Sequence, residues 1–101
     1  MSELISELEL LRNNLVKMAT LAEENVNLAI KSLQERDADI AKTVLINEQE
    51  VNNCEIQLDD KAIEILALFQ PLTEDLRFIT MAMHITKDLE RIGDHAVNIA
   101  K

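Results

Sequence analysis

The chain lacks most of what non-helical folds require. It has 101 residues with no tryptophan or tyrosine, two phenylalanines, one proline and one glycine. A β-sandwich or barrel needs many turns and strands rich in aromatic and β-branched residues, and an α/β nucleotide-binding fold needs glycine-rich loops. Both classes are excluded. The apolar residues that remain are mainly Leu, Ile and Ala, so the composition predicts one small all-α bundle of long helices.

Basic residues are also scarce. The chain has 10 Lys and Arg against 19 Asp and Glu, a formal net charge of −9. Binding to a nucleic-acid backbone needs clustered Lys and Arg, and none are clustered here, so we expect no nucleic-acid partner. The same charge repels anionic lipid head groups. A surface this acidic favours cations or a basic protein partner.

Features of secreted and membrane proteins are missing from the sequence. Its single cysteine, Cys54, cannot form an internal disulfide, which is typical of a reducing cytosol. The first residues are acidic, unlike the basic start of a secretory signal. No uncharged apolar run approaches the ~20 residues of a membrane span. We therefore expect a cytoplasmic protein.

Apolar residues recur at helical spacing in three segments. The predicted helices cover residues 2–35, 39–69 and 73–101, and Pro71 ends the second. Asp37 or Asp39 is expected to cap the second helix and Thr73 the third. Short connections force antiparallel neighbours, so residues 1–101 should form a single up-down-up three-helix bundle roughly 45 Å long.

Each helix has a predicted buried stripe. The first is Leu4, Leu8, Leu11, Leu15, Met18, Ala22, Asn25, Val26, Ala29 or Ile30, and Leu33. The second is Ile40, Val44, Asn47, Val51, Cys54, Leu58, Ala62, Ile65 and Phe69. The third is Leu76, Ile79, Met83, Ile85, Leu89, Ile92, Ala96 and Ile99. Cys54 lies on the second stripe, and we interpret it as a small core residue.

Carboxylates on the second and third helices are predicted to meet. In a hairpin that turns near residue 71, level residues have numbers summing to about 143, which pairs Glu48 with Asp94 or His95 and Asn52 with Glu90 or Arg91. Several anions at one height favour a hard cation between them. The predicted metal ligands are therefore Glu48, Asn52, Glu90 and Asp94, with Glu55, Asp59 and His95 as additional candidates.

Other interpretations remain open for this cluster. Lys87 and Arg91 would neutralise it as ordinary surface ion pairs, and an exposed side chain is the preferred interpretation of His95 over a metal ligand. His84 and His95 lack the Glu-x-x-His pattern of bundle di-iron enzymes, and neither has an obvious nucleophile partner. We predict no catalytic residues and no enzyme.

Two segments resemble a known family. The stretch DLERIGDHAVNIA (residues 88–100) is similar to the signature of PhoU-type phosphate-signalling regulators, and ALFQPLTEDLR (residues 67–77) is similar to that family's helical junction. The resemblance implies a three-helix domain in a cytoplasmic negative regulator of inorganic phosphate uptake. Its implied partners are the phosphate-specific ABC transporter and the phosphate sensor histidine kinase, which it helps to keep off.

The resemblance also bears on the carboxylates. Family members carry Glu/Asp-x-x-x-Asp motifs that bind multinuclear iron or zinc, or other divalent ions such as Mg²⁺ or Mn²⁺. Glu90 and Asp94 match one motif, and Glu48 matches the first position of another. Asn52 stands where that second motif has a carboxylate, which predicts a weaker site. Gly93 would allow close approach of a partner or ion, or close helix packing.

Family proteins usually hold two such domains in tandem, whereas this sequence has one. It is either a fragment or a domain that pairs with a copy of itself, and we expect a homodimer. The alternative function is a metal-free helical dimerisation or interaction module of a larger regulator.

Overall fold

Three long helices make up the protein, in a computed structural model that describes residues 2–100. They are α1 (Ser2–Glu35), α2 (Ala38–Phe69) and α3 (Thr73–Ala100). Each packs against the other two in a rod of 52 × 17 × 15 Å. The predicted all-α three-helix bundle is confirmed. Helix α2 begins one residue earlier than predicted, and the predicted end at Lys101 lies outside the described residues.

The connection between α1 and α2 is two residues long and closed by hydrogen bonds. Arg36 adopts a left-handed backbone (φ 52°), which lets the Asp37 amide donate back to the Ser32 carbonyl at 3.1 Å. The Asp37 carboxylate then accepts from the amides of Asp39 (2.9 Å) and Ile40 (3.3 Å). Of the two predicted caps for α2, Asp37 is confirmed, and it fixes the sharp reversal.

The connection between α2 and α3 uses backbone geometry in place of a side-chain cap. Gln70 ends α2 in the left-handed region (φ 45°), and Pro71 follows. The Leu76 amide donates to the Leu72 carbonyl at 3.0 Å, so α3 starts from Leu72 and Thr73 is its first helical residue. The prediction that Thr73 caps α3 is wrong.

The core follows the predicted stripes on α1 and α2 but changes in size along the rod. A long cluster runs towards the α2–α3 turn and contains Leu11, Met18, Val51, Cys54, Leu58, Ala62, Ile65, Ile79 and Ala82. A smaller cluster nearer the α1–α2 turn contains Ala29, Val44 and Ala96. Cys54 lies in the core as predicted. Along α2 the two clusters are about two helical turns apart, from Val44 to Val51.

The buried stripe of α3 differs from the prediction. Its buried positions are Ile79 and, further along the helix, the smaller Ala82, Thr86, Gly93 and Ala96. The predicted core residues Leu76, Ile85, Ile92 and Ile99 remain 38–43% exposed, and Leu33 on α1 is 63% exposed. Small side chains face inward because α3 lies close against its neighbours, and the larger isoleucines are left on its flank.

Apart from Glu48, the polar side chains buried in the core donate hydrogen bonds to backbone carbonyls. Asn25, which the spacing placed on the stripe of α1, is fully buried, and its Nδ2 donates to the Val44 carbonyl of α2 at 3.0 Å. The hydroxyls of Ser32 and Thr86 each donate to a carbonyl one turn back in their own helices, both at 2.7 Å. These bonds lower the cost of burying a polar group, and Asn25 ties α1 to α2 at one height.

Candidate functional site

Glu48 is the most unusual residue of the molecule. Its side chain lies on the buried stripe of α2, between Val44 and Val51, and only 8% of the residue is exposed. Both carboxylate oxygens are shielded from solvent, and neither has a hydrogen-bond partner among the described residues. Asn47, predicted to fill this slot, is only half-buried. A buried carboxylate without a partner is costly, so its surroundings decide its charge.

Gly93 provides the space that Glu48 occupies. A Cβ built on Gly93 would lie 2.7 Å from Glu48 Oε1 and 2.9 Å from its Cδ, closer than real Cβ contacts. Gly93 has an ordinary helical backbone, since it is absent from the positive-φ residues. The missing side chain of Gly93 therefore leaves room for a carboxylate from the facing helix, and a side chain at this position would force the end of Glu48 to move.

Three acidic residues disfavour the charge of Glu48. Burial raises the pKa of Glu48 from its ordinary 4.5 to about 7, and the charges of Asp94, Glu90 and Glu55 add to the rise in that order. All of these contributions disfavour the ionised form. With a pKa of about 7, the Glu48 carboxyl exchanges a proton near neutral pH. Either a proton or a nearby cation would reduce the cost of a buried negative charge among acidic neighbours.

Next to Glu48 along α2, the carboxylates are paired with a lysine of α3. Lys87 Nζ lies 2.8 Å from Glu55 Oε1 and 3.7 Å from Asp59 Oδ2. The hydrogen bond with Glu55 raises the pKa of Lys87. A hydrogen bond between carboxyl groups, with Glu55, raises the pKa of Glu90, and partial burial adds to the rise. The ion-pair interpretation thus holds for Lys87, while Arg91 is exposed and has no salt bridge within residues 2–100.

The predicted ligands are placed unequally. Glu48, Glu55, Glu90 and Asp94 influence one another at one height of the α2–α3 seam. Facing pairs have residue numbers summing to 141 for Glu48–Gly93 and 142 for Glu55–Lys87, within two of the predicted 143. Asp59 lies one turn beyond Glu55 on α2 and pairs with Lys87. Asn52 and His95 are exposed, and no hydrogen bond or salt bridge of the described part of the chain joins them to the cluster.

The seam is a set of oxygen donors that is not assembled around one point. No three His, Cys, Asp or Glu side chains of residues 2–100 are positioned together to hold a metal ion. The chemistry of the set nevertheless fits a hard cation, because Glu48 offers two buried oxygens without donors and its neighbours are carboxylates. Glu90 and Asp94 are less buried than Glu48, and their charges help to raise its pKa.

Two features of the site were missed from the sequence. The spacing 44, 48, 51 is compatible with Glu48 on the buried stripe, but the prediction placed Asn47 there and Glu48 on a face that borders the core. The contact between Glu48 and Gly93 joins residues 45 positions apart, and only the register of two helices reveals it. A charged residue at a stripe position, with a glycine opposite in the predicted register, was the available signal.

Fold and seam together define an all-helical three-helix unit with a buried carboxylate facing a glycine in an acidic seam. The PhoU domain family matches residues 15–101, and the chain belongs to the PhoU family. The resemblance found in its helix α3 signature is confirmed. Across residues 2–100, none of the helices is long and apolar enough to cross a membrane.

Relatives of the chain share a third or more of its sequence. It is 35% identical over 95% of its length to the "Phosphate-specific transport system accessory protein PhoU homolog" of Clostridium acetobutylicum, and 34% identical over 98% to the homologue of that name in Aquifex aeolicus. A Pseudomonas putida homologue is 40% identical over 95%. The chain spans 44%, 45% and 38% of these relatives, less than half of each. No solved structure matches it.

Proposed function

We propose that the chain is a cytoplasmic accessory domain of phosphate uptake that acts through protein contacts rather than catalysis. The support is its family membership over residues 15–101 and the names of its relatives, which are accessory proteins of the phosphate-specific transport system. Its proposed partners are the phosphate-specific ABC transporter and the phosphate sensor kinase, and its effect on both is restraint when phosphate is plentiful.

The role is tested by asking whether the chain restores this restraint in cells that have lost it. Bacterial cells lacking their own PhoU protein would express the 101-residue chain, and a phosphate-starvation reporter would be measured in phosphate-rich medium. We expect the chain to lower reporter expression. A well-folded, well-expressed chain that leaves the reporter fully on would contradict the regulatory role.

The α2–α3 seam is proposed as a cation site, which makes the domain a metal-binding adaptor. The observation that carries this is the buried carboxylate of Glu48, whose oxygens have no donor among the described residues and whose acidic neighbours favour a positive charge. Glu48, Glu90 and Asp94 would bind the ion, with Glu55 competing between the ion and Lys87. Iron, zinc, manganese and magnesium ions are the candidates.

Metal content measured on untagged protein tests the site directly. We expect wild-type chain, dialysed against each metal in turn, to retain at least one equivalent of one of them by elemental analysis. Glu90→Gln/Asp94→Asn should lower the affinity about 10-fold or more, because a bound cation loses two anionic ligands. Glu50→Gln/Asp60→Asn is the matched control, with the same charge change at two exposed positions of α2.

Two results would overturn the cation site. One is equal, sub-stoichiometric metal in wild type and in the seam variant. The other is an equal loss of affinity in the control, which would indicate non-specific attraction to a chain of net charge −9.

A second function is a metal-free helical interaction module. It is favoured by a separate observation, the row of exposed isoleucines along α3. Association that chelators leave unchanged supports this function, and a dimer that requires metal would contradict it.

A further inference from the structure

A surface hollow lies on α3, beside the α2–α3 turn. It has a volume of about 640 Å³, and its apolar wall is formed by Pro71, Leu72, Leu76 and Met81. Leu72 is 83% exposed, Met81 60% and Leu76 43%, so none of the three contributes a fully buried side chain to the core. Apolar surface gains free energy when it leaves water, and the hollow therefore favours apolar side chains of another molecule.

A row of nitrogen-bearing side chains continues from this hollow along α3. Arg77, which also lines the hollow, is followed at seven-residue intervals by His84 and Arg91, and all three are exposed. Seven residues are close to two helical turns, so these side chains form one row, about 21 Å long at ~1.5 Å per residue. We call the hollow together with Arg77, His84 and Arg91 the α3 outer face.

The arginines of this row are not neutralised by the domain itself. No salt bridge among residues 2–100 includes Arg77 or Arg91. The sequence has no Asp or Glu from residue 76 to residue 87. Two exposed acids flank the row, Glu74 one turn before Arg77 and Asp88 one turn before Arg91. The row thus keeps positive charge that another molecule can bind.

Charge determines which occupant this face favours. The chain has 19 acidic residues against 10 basic ones, so the row is a local exception on an acidic surface. A nucleic acid or an anionic membrane would bring its extended charge against the acidic remainder as well. A second copy related by a two-fold axis would place arginines against arginines. A short acidic segment of another protein meets the row alone.

We propose that the α3 outer face binds an acidic amphipathic helix of a partner protein. Apolar residues of that helix enter the hollow, while Asp or Glu residues at seven-residue spacing pair with Arg77, His84 and Arg91. About four helical turns are long enough to make both contacts. The inference rests on the proposed function, in which the domain acts through protein contacts, and it adds the surface used and the chemistry of the partner.

Photocrosslinking in cells tests this face on the whole chain. The cells are those of the reporter experiment, and p-benzoylphenylalanine is incorporated at Thr80, an exposed residue that lines the hollow. We expect a crosslinked partner peptide, identified by mass spectrometry, with an excess of Asp and Glu and apolar residues at helical spacing. The same probe at Gln57, an exposed position of α2, should not capture that peptide.

Charge reversal separates the row from the overall charge of the chain. Arg77→Glu should lower the yield of the Thr80 crosslink about 10-fold or more, because it replaces an attraction with a repulsion. Lys17→Glu makes the same change in charge at an exposed position of α1 and should leave the yield nearly unchanged. Equal losses in the two variants would contradict a specific role for the row.

A second pair of variants tests the apolar part of the face. Leu72→Ser should lower the crosslink yield several-fold, because the partner loses an apolar contact in the hollow. Leu68→Ser removes a leucine of α2 outside the hollow and should not lower it. These leucines are 83% and 68% exposed, so neither change empties the core, and circular dichroism checks that every variant is folded.

The reporter distinguishes this inference from the proposed function. If wild type and Arg77→Glu restrain the reporter equally, the partner does not use this face and the regulatory role stands. If the wild type does not restrain the reporter, the regulatory role fails, and the crosslink at Thr80 still tests the face. A neutral or basic crosslinked peptide, a peptide from a second copy of the chain, or no product specific to Thr80 would each overturn the inference.

Discussion

The properties of Glu48 follow from its position rather than its chemistry. The carboxylate lies on a stripe otherwise made of Val44 and Val51, opposite Gly93 and beside two acids of α3. Carboxylates at helical spacing could be recognised from the sequence, and so could the register that brings α2 and α3 together. The burial of Glu48 could not be recognised from the sequence, because it depends on the absence of a side chain at Gly93 on another helix.

Glu48 makes the free energy of unfolding depend on pH. Its pKa of about 7 in the folded state exceeds the ordinary 4.5, so the folded protein holds this proton more tightly. Stability from this group is fully present below about pH 4.5 and is lost as the pH rises to about 7. With chelator present, urea unfolding of Glu48→Gln at pH 8 should show a gain on the order of 2 kcal/mol over wild type, and a flatter pH dependence.

Exposed Glu50→Gln is the control for this measurement, because its carboxylate lies outside the seam. Parallel pH profiles for wild type and Glu48→Gln would contradict a buried carboxyl with a raised pKa.

At the scale of helices, boundaries could be predicted more accurately than faces. Pro71 and the aspartates around residue 37 locate both connections, since each limits the backbone locally. The inward face of α3 could not be predicted from hydrophobicity, because Ala82, Thr86 and Gly93 are buried while Ile85 and Ile92 lie outside. In tight helix packing, size decides which side chain faces inward.

The cap of α2 gives a prediction at this scale. Asp37→Ala removes the acceptor for the amides of Asp39 and Ile40, and we expect a loss of about 1 kcal/mol in the free energy of unfolding. Urea denaturation measures it. Asp39→Ala, which removes a nearby exposed carboxylate without removing the cap, should cost less. Equal losses would indicate that charge near the helix start matters more than the cap.

For the molecule as a whole, charge balance is the dominant feature. The all-α bundle could be predicted because low turn content and three apolar stripes leave few alternatives. With a net charge of −9, the acidic side chains repel each other, and folding into a narrow rod brings their charges closer together.

Salt should therefore raise the melting temperature of the bundle. Thermal unfolding followed by circular dichroism, at a protein concentration where the chain is monomeric, should show the increase with sodium chloride. Choline chloride at equal ionic strength should give the same increase, because screening does not depend on the identity of the cation. A response to sodium alone would indicate specific binding instead.

The parallel course of α1 and α3 has a practical consequence for labelling. Ser2 and Ala100 lie at opposite poles of a rod 52 Å long, and Glu90 and Asp94 are within about three turns of the Ala100 pole. A histidine tag attached there would bring competing imidazoles within reach of the carboxylates. Fluorophores and affinity tags therefore belong at the other pole, where they leave the seam undisturbed.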